Sequence, residues 1–333
     1  MAQFLEPLLW PAYNIAKAFQ LKEKHEDENR GSSHEVLPYL DFSGHMMVVS
    51  GSIRAFLIAF AVVYYITPDQ YPALGSAGAT LEYHWIINIF VRNILGTWLI
   101  CGFWDGVLLS KHSPLQKRLQ PYKMNPKYPP TSQLLHDAIF TTMASCIASA
   151  IEVWYCHNVA TGALSASTDL CTWDSLLWIA FNTHFRLPHF YATHRMMHPW
   201  RKSKNTWMGR YAPDIGQFLY KHVHSVHHKS HNPTAFSGTS MHPVEAATYY
   251  SACLLPILCK RHPTIVLACI FDCAIGAWTG HDGFQLPYGM GDDFHQLHHE
   301  HSDCNYGTSI DSLDWLMGTS IGKRGDLKDI QKE

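Results

Sequence analysis

The chain has 333 residues, a formal net charge of −2, and 23 histidines, almost as many as its 25 Lys and Arg residues. Because positive and negative charges balance, the composition lacks the basic footprint of a nucleic-acid-binding protein. The nine cysteines form no C-x-x-C pair, which argues against a cysteine-rich zinc site or a thioredoxin-like site. The excess of histidine is therefore the feature that a functional interpretation has to explain.

Residues 1–45 begin MAQFLEPLLWPAYNIAKAF and lack the basic start and long apolar core of a signal peptide. We expect an amphipathic N-terminal leader that lies at a membrane surface. Four later segments are apolar enough to cross about 30 Å of hydrocarbon. They are residues 46–66, 85–109, 134–156 and 173–192. Since each contains a charged residue, long core helices of a soluble enzyme are the alternative.

The connections between these segments alternate between Lys/Arg-rich and Lys/Arg-free. Basic residues occur in 1–45, 110–133 and 193–229, whereas 67–84 and 157–172 contain none. The positive-inside rule therefore places the N-terminus, the 110–133 loop and everything after about residue 193 in the cytosol. The apolar stretch 246–281 is interrupted by Lys260-Arg261-His262-Pro263, which predicts a shallow hairpin that dips in from the cytosolic side.

The sequence thus predicts an all-α protein with multi-pass membrane helices and a cytosolic helical cap. We divide it into the leader (1–45), a transmembrane region (46–170), a histidine-rich catalytic domain (171–320) and a flexible tail (321–333).

A short motif, H-x-x-H-H, occurs twice, and a related H-x-x-x-H box precedes it. On a helix, positions i, i+3 and i+4 share one face, so we expect each box to direct its imidazoles at one point. Eight histidines in three boxes indicate a metal site, and two further histidines in MHPVE and GHDG are candidates to complete it. The ten predicted ligands are His194, His198, His224, His227, His228, His242, His281, His295, His298 and His299.

The choice of metal follows from the ligand type. Imidazole suits zinc, copper, iron and nickel. A structural zinc site needs four ligands and usually includes cysteine, and the zinc-protease pattern H-E-x-x-H is absent because position 195 is Arg. A pair of irons with open positions fits a histidine set of this size better.

Over about 190–318 the motifs resemble those of the fatty acid hydroxylase/sterol desaturase superfamily of membrane-bound non-haem di-iron enzymes. The words PTAF, HPVE, HDG and NYG are most similar to the sterol C5-desaturase branch, and the layout also resembles the sterol C4-methyl oxidases. Two features depart from the family pattern: a 25-residue insertion at 199–223 between the first two boxes, and FRLPHFYAT in place of an acidic residue before the first box.

The resemblance implies two iron ions that use O2 to hydroxylate or desaturate an unactivated C–H bond of a sterol-type lipid, at the endoplasmic reticulum membrane. Carboxylates near the ligands are expected to orient the imidazoles. The candidates are Glu245, Asp282, Asp293 and Asp303.

The chain contains no G-x-G-x-x-G, HPGG or C-x-x-C-H motif, so electrons from NAD(P)H must come through a separate donor. We expect cytochrome b5 with its reductase, docked on a basic surface. That surface comprises Arg201, Lys202, Lys204 and Arg210; binding of lipid headgroups is the other interpretation.

Two alternatives remain open at this stage. One is hydroxylation of a fatty acyl or sphingoid chain by the same site. The other, from a different class, is a histidine-rich membrane metal transporter, which would carry its ligands near the middle of the membrane on several helices.

Overall fold

The computed structural model describes residues 42–67, 70–108, 110, 112–125, 127–200, 214–284, 293–310 and 313–322. Within these ranges the chain is helical and has no β-strand beyond one isolated bridge between Lys123 and Phe284, which confirms the predicted all-α fold. The leader up to residue 41, residues 201–213 with the predicted basic surface Arg201, Lys202, Lys204 and Arg210, and the tail from residue 323 lie outside the described residues.

Three helices are long and apolar enough to cross a membrane. Helix α1 (Phe42–Ala61) continues into a π-helical turn, Val62–Ile66. Helix α2 (Tyr83–Phe103) ends in another π-helical turn, and the short α3 (Pro114–Leu119) leads to α4 (Thr131–Ala160). The stretches that meet the length and hydropathy of a span are His45–Ile66, Tyr83–Val107 and Thr131–Ala160. The chain is therefore a membrane protein with three clear candidate spans.

The fourth predicted span is helical, but it is not one of these three. Helix α5 (Trp173–Met196) contains Pro188 and leaves helical geometry at Phe181, where φ is −117° and ψ is 15°. It also carries Asp174, Arg186 and several histidines, which lower its hydropathy below that of a typical span. The expectation of four equivalent spans is corrected in this respect.

The remaining helices are shorter. Helix α6 (Ile215–His222) leads into a 3-10 segment, His224–Lys229, and a second 3-10 segment covers Ala235–Thr239. Helices α7 (Pro243–Tyr250), α8 (Leu254–Leu258) and α9 (Pro263–Thr279) follow. Helices α10 (Asp293–His301) and α11 (Leu313–Leu316) complete the fold.

The hairpin formed by α7–α8 and α9 is deep, not shallow as expected. At its tip, the Lys260 carbonyl accepts a hydrogen bond from Ser167 N–H at 3.0 Å, and Arg261 forms an ion pair with Asp174. These partners lie in the loop after α4 and in the first turn of α5. Because α9 has 17 residues, the hairpin is about 25 Å long. The apolar residues of the first half of α9 are buried, so protein contacts rather than lipid stabilise that half.

Helix α9 occupies the middle of the molecule, where it packs on α1, α5 and the second 3-10 segment, while α2 packs on α4. The charged residues inside the long helices are paired there. Arg92 pairs with Glu152, Arg186 pairs with Asp272, and Asp137 accepts hydrogen bonds from Ser230, Ser237 and Ser240. Buried charges are tolerated when they are paired in this way. The Asp137 contacts fix the segment between the second histidine box and α7.

Candidate metal centre

The structure gathers nine of the ten predicted histidines into two neighbouring buried groups. The five-histidine group consists of His194, His198, His224, His228 and His298. The four-histidine group consists of His227, His281, His295 and His299. Within each group the ring nitrogens lie within 4.8 Å of one another. The last turn of α5 and the turn after it, the first 3-10 segment, the turn after α9, and α10 supply these residues.

Each H-x-x-H-H box contributes to both groups, contrary to the expectation that a box converges on one point. The first and last histidines of a box share one group, and the middle one belongs to the other. The adjacent rings of His227 and His228 are 5.9 Å apart at 82°, and those of His298 and His299 are 5.8 Å apart at 82°. The two boxes therefore have equivalent geometry, although one is a 3-10 segment and the other an α-helix.

Backbone carbonyls fix the tautomer of several rings. The Nδ1–H of His194 donates to the Tyr306 carbonyl at 2.5 Å, and that of His298 donates to the Cys304 carbonyl at 2.6 Å. In the other group, His281 donates from Nδ1 to the Ala277 carbonyl at 2.7 Å. A neutral imidazole that donates from Nδ1 leaves a lone pair on Nε2, which is the form that binds a metal.

The Nε2 atoms so oriented lie close to one another. His224 Nε2 is 3.0 Å from Nε2 of both His194 and His228, and His228 Nε2 is 3.1 Å from that of His298. In the four-histidine group, His281 and His299 approach to 2.9 Å through Nε2. Two nitrogens bound at right angles to an ion about 2.1 Å away would be about 3.0 Å apart.

Several buried ring nitrogens have no hydrogen-bond partner in the described part of the chain. They are both nitrogens of His198, both nitrogens of His295 and Nδ1 of His299. A buried polar atom left without a partner costs about 1–3 kcal/mol. A cation in each group would bind one nitrogen of each of these rings, so the donor set fits two metal ions.

The electrostatics of the site also favour neutral rings. Burial, followed by repulsion from neighbouring histidines, lowers the pKa of His194, His224 and His299 well below the usual value. Burial lowers the pKa of His281 to about 4 and that of His298 to about 3. At neutral pH these rings need not lose a proton before they bind a cation.

Glu245 is the predicted carboxylate that contacts a histidine. Its Oε1 lies 2.6 Å from Nδ1 of His224, and burial raises the pKa of this carboxyl well above its ordinary value. A cation on Nε2 of His224 would favour the ionised carboxylate as acceptor of the Nδ1–H bond. Asp282 instead accepts from Phe284 N–H, Asp293 begins α10, and Asp303 is exposed.

The NYG motif (305–307) and Asp314 position the site through backbone hydrogen bonds. The carboxylate of Asp314 accepts from the N–H groups of Tyr306 and Gly307, and Asn305 donates to the Phe294 carbonyl. These bonds hold the loop whose Tyr306 carbonyl orients His194. Reasoning from the sequence did not assign these roles, although the NYG motif was a signal that could have pointed to this loop.

Glycine at position 216 permits the close contact between the first and second boxes. A Cβ built there would overlap the His198 carbonyl oxygen and the Trp200 indole. Asp214 adds a second link, because its carboxylate accepts from the Trp200 N–H at 3.1 Å and from the Gln217 N–H at 3.0 Å. Helix α6 is thereby fixed against the end of α5.

The tenth predicted ligand, His242, lies outside both groups. It is half-buried, and its Nδ1 accepts from Val244 N–H at 3.2 Å, so it caps α7. His222 and His231, the other two histidines of the sequence KHVHSVHHKSH, are exposed. The structure therefore separates the box histidines from their neighbours.

A cavity adjoins the histidines. Five of them, His194, His224, His227, His281 and His295, form part of its wall. Apolar residues of the wall include Phe190, Met197 and Met241, and polar ones include Arg186 and Tyr249. The cavity gives a small apolar group a place beside both groups of histidines.

The fold and the site define a class of protein: a helical membrane protein with a buried histidine centre suited to two metal ions. The family model described as "Fatty acid hydroxylase" matches residues 178–319, which contain all nine clustered histidines. The chain therefore carries a fatty acid hydroxylase domain, and its predicted membership of the fatty acid hydroxylase/sterol desaturase superfamily is confirmed.

The relatives of this chain are named for several different enzyme activities. Methylsterol monooxygenase 2-2 of Arabidopsis thaliana is 26% identical over 42% of this chain and 53% of its own length. Very-long-chain aldehyde decarbonylase GL1-11 of Oryza sativa subsp. indica is 30% identical over 31% of this chain and 43% of its own. Putative Delta(7)-sterol-C5(6)-desaturase 2 of Arabidopsis thaliana is 30% identical over 38% and 48%, respectively.

The chain thus spans about half the length of each of these relatives. No solved structure matches it. The family is one of hydroxylase-, oxygenase- and desaturase-type enzymes.

Proposed function

We propose that the protein is an O2-dependent membrane oxidoreductase that hydroxylates or desaturates an unactivated C–H bond of a sterol-type lipid. The observation that carries the proposal is the pair of buried histidine groups. Nine neutral imidazoles exceed what a structural zinc site needs. Iron accepts imidazole ligands and, unlike zinc, has redox chemistry. Two iron ions held there would supply the activation of O2 and the removal of hydrogen from carbon.

The protein's own residues position the ligands and exclude water. Carbonyls of Tyr306, Cys304 and Ala277 keep three rings in the tautomer that presents Nε2, and Glu245 does the same for His224. The histidines are at most 6% exposed, so the oxidising centre is shielded from solvent. The adjoining cavity would hold the reacting carbon against this wall, which supports selective attack on one position.

The names of the relatives and the charges of the loops support a substrate, an electron donor and a membrane location. Two of the relatives described above have sterol names, which favours a sterol substrate. The family model's description, "Fatty acid hydroxylase", supports the alternative, an acyl or sphingoid chain. We infer that cytochrome b5 and its reductase deliver electrons on the cytosolic face of the endoplasmic reticulum. The alternation of basic and Lys/Arg-free loops supports this orientation.

The test is expression of the full chain in hosts that lack either a sterol C5-desaturase or a sterol C4-methyl oxidase, with lipids profiled by mass spectrometry. We expect restoration of the missing sterol in one of them. A new hydroxylated acyl lipid with an unchanged sterol profile would reject the sterol substrate. Metal uptake into vesicles without any lipid product would reject the enzyme and favour a transporter.

Two variants control this experiment. His227→Ala removes a member of the four-histidine group and should abolish the product. His231→Ala removes an exposed histidine of the same segment and should leave it unchanged. Equal loss in both variants would show that the effect comes from expression or folding rather than from the metal centre.

A further inference from the structure

A second, larger cavity lies among the candidate spans and is separate from the histidine centre. It lies between α1, α2, α4 and α9, and its wall is mainly apolar. No residue lines both cavities, and no histidine lines this one. We propose that it is a second lipid site, which binds a neutral lipid with one hydrogen-bond-accepting oxygen.

The two cavities are divided by a direct backbone contact. Gly238 and Ala277 line the histidine cavity, whereas their neighbours Thr239 and Trp278 line the larger one. A Cβ built on Gly238 would overlap the carbonyl of Ala277, so the second 3-10 segment lies against α9 at this point. This contact forms a wall, and the larger cavity is a compartment of its own.

The cavity opens sideways toward the surface that faces lipid. Ile58 of α1 and Ile100 of α2 line it and are 45% and 40% exposed. Helix α1 packs mainly on α5 and α9, whereas α2 packs on α4, which leaves a gap between α1 and α2. A molecule dissolved in the bilayer would therefore enter without crossing water.

One wall of the cavity offers hydrogen-bond donors. Arg92 donates from Nε and Nη2 to Asn93 and from Nη2 to Glu152, but its Nη1 has no acceptor among the described residues. The Thr97 hydroxyl accepts from Ser145 at 3.2 Å, and its own O–H has no acceptor in the same part of the chain. Both side chains line the cavity. They would satisfy an acceptor oxygen on a bound molecule.

The charge and position of this wall favour a neutral lipid. Glu152 compensates the charge of Arg92 at 2.5 Å, so an anionic headgroup would gain little attraction. Arg92 is also about 14 Å along α2 from its first residue, which is inside the span rather than at its end. A phospholipid headgroup belongs at the membrane surface, whereas a hydroxyl or carbonyl on an apolar body fits this depth.

A larger side chain at position 96 would fill the cavity without displacing other residues. Gly96 lines the cavity, and a Cβ built on it would meet no atom within 4 Å. Gly102, on the same helix, has the same open space but does not line the cavity. Gly96→Phe and Gly102→Phe therefore form a matched pair in which the first alone obstructs the site.

The experiment uses the purified full chain in phosphatidylcholine nanodiscs without reductant, so that no turnover is needed. The probes are a 3-hydroxysterol that carries a diazirine and its 3-deoxy analogue, with cross-linked peptides mapped by mass spectrometry. We expect labelling of residues around 92–101 and 270–278, reduced about tenfold or more by Gly96→Phe and by less than about twofold by Gly102→Phe. Thr97→Val should reduce the preference for the hydroxysterol about fivefold.

Equal labelling of the two glycine variants, or labelling confined to peptides of the histidine cavity, would overturn the inference. Thr97→Val keeps the test decisive if Gly96→Phe does not fold, because an unchanged preference between the two probes would refute the role of the donors. Binding is measured without oxidation. A failure of the proposed function would therefore leave this result intact, and a failure here would leave product formation intact.

Discussion

The division of each histidine box between two groups can be tested with two double variants. His227→Ala/His299→Ala combines residues from different boxes but removes two of the four histidines of one group. His227→Ala/His228→Ala removes neighbours from the same box but takes one histidine from each group. If each box served one ion, His227→Ala/His228→Ala would lose one ion completely and His227→Ala/His299→Ala would weaken both. The structure predicts that His227→Ala/His299→Ala loses one ion and that His227→Ala/His228→Ala weakens both.

The magnitude follows from the number of ligands that remain. Removal of a residue that merely orients a metal ligand costs about 10–100-fold in affinity, or about 1.4–2.7 kcal/mol. A direct ligand should cost at least as much. His227→Ala/His299→Ala leaves two histidines in the four-histidine group, so that ion should bind at least about 100–10,000-fold more weakly if the losses add. The five-histidine group is intact and should keep its ion.

The assay is dialysis of the iron-loaded protein against increasing chelator, with residual iron per chain measured by inductively coupled plasma mass spectrometry. We expect one ion at wild-type affinity in His227→Ala/His299→Ala and two weakened ions in His227→Ala/His228→Ala. His222→Ala/His231→Ala removes as many histidines from exposed positions and should match the wild type. Retention of one wild-type ion by His227→Ala/His228→Ala, with both weakened in the other variant, would refute the assignment of the groups.

Three further predictions concern the surroundings of the site. Glu245→Gln should weaken the ion of the five-histidine group about 10–100-fold and spare the other, in the same chelator titration, because Glu245 contacts only His224 of the nine; equal weakening of both ions would contradict this role. Gly216→Ala should destabilise the protein by about 1–3 kcal/mol, because the new methyl overlaps the His198 carbonyl. The control Gly102→Ala should not lower the melting temperature. An unchanged melting temperature of Gly216→Ala would show that α6 can move away from α5. A membrane-impermeant maleimide should label the exposed Cys171 and Cys259 from the same side of sealed vesicles. The reason is that the hairpin tip contacts the loop before α5. Labelling from opposite sides would refute the deep hairpin.

The helical fold and the clustering of the box histidines could be predicted because both depend on local patterns. Long apolar segments identified the helices that now form α1, α2 and α4. The boxes identified eight of the nine clustered histidines, and the GHDG sequence identified His281. Metal binding by these residues stays a prediction, which the chelator titration tests.

The depth of the hairpin could not be predicted from the sequence, because it depends on contacts between distant residues. Lys260 and Arg261 look like a break in an apolar stretch that should stay near a membrane surface. The ion pair of Arg261 with Asp174 and the bond from Ser167 N–H become visible only in three dimensions. The prediction of His242 as a ligand was wrong for a similar reason. A histidine before Pro243 also suits the N-cap of a helix, which is where the structure places it.

The division of the boxes, in contrast, follows from helical geometry alone. Adjacent residues point about 100° apart on an α-helix and about 120° apart on a 3-10 helix. Two adjacent histidines therefore point in different directions in either conformation, and in both boxes they belong to different groups. The paired histidines at the end of H-x-x-H-H thus fit two neighbouring groups of ligands, with the segment passing between them. The middle ring of each box is fixed by a backbone carbonyl, that of His227 by Ser240 and that of His298 by Cys304, so each box directs its middle histidine to the group that its other two histidines do not join.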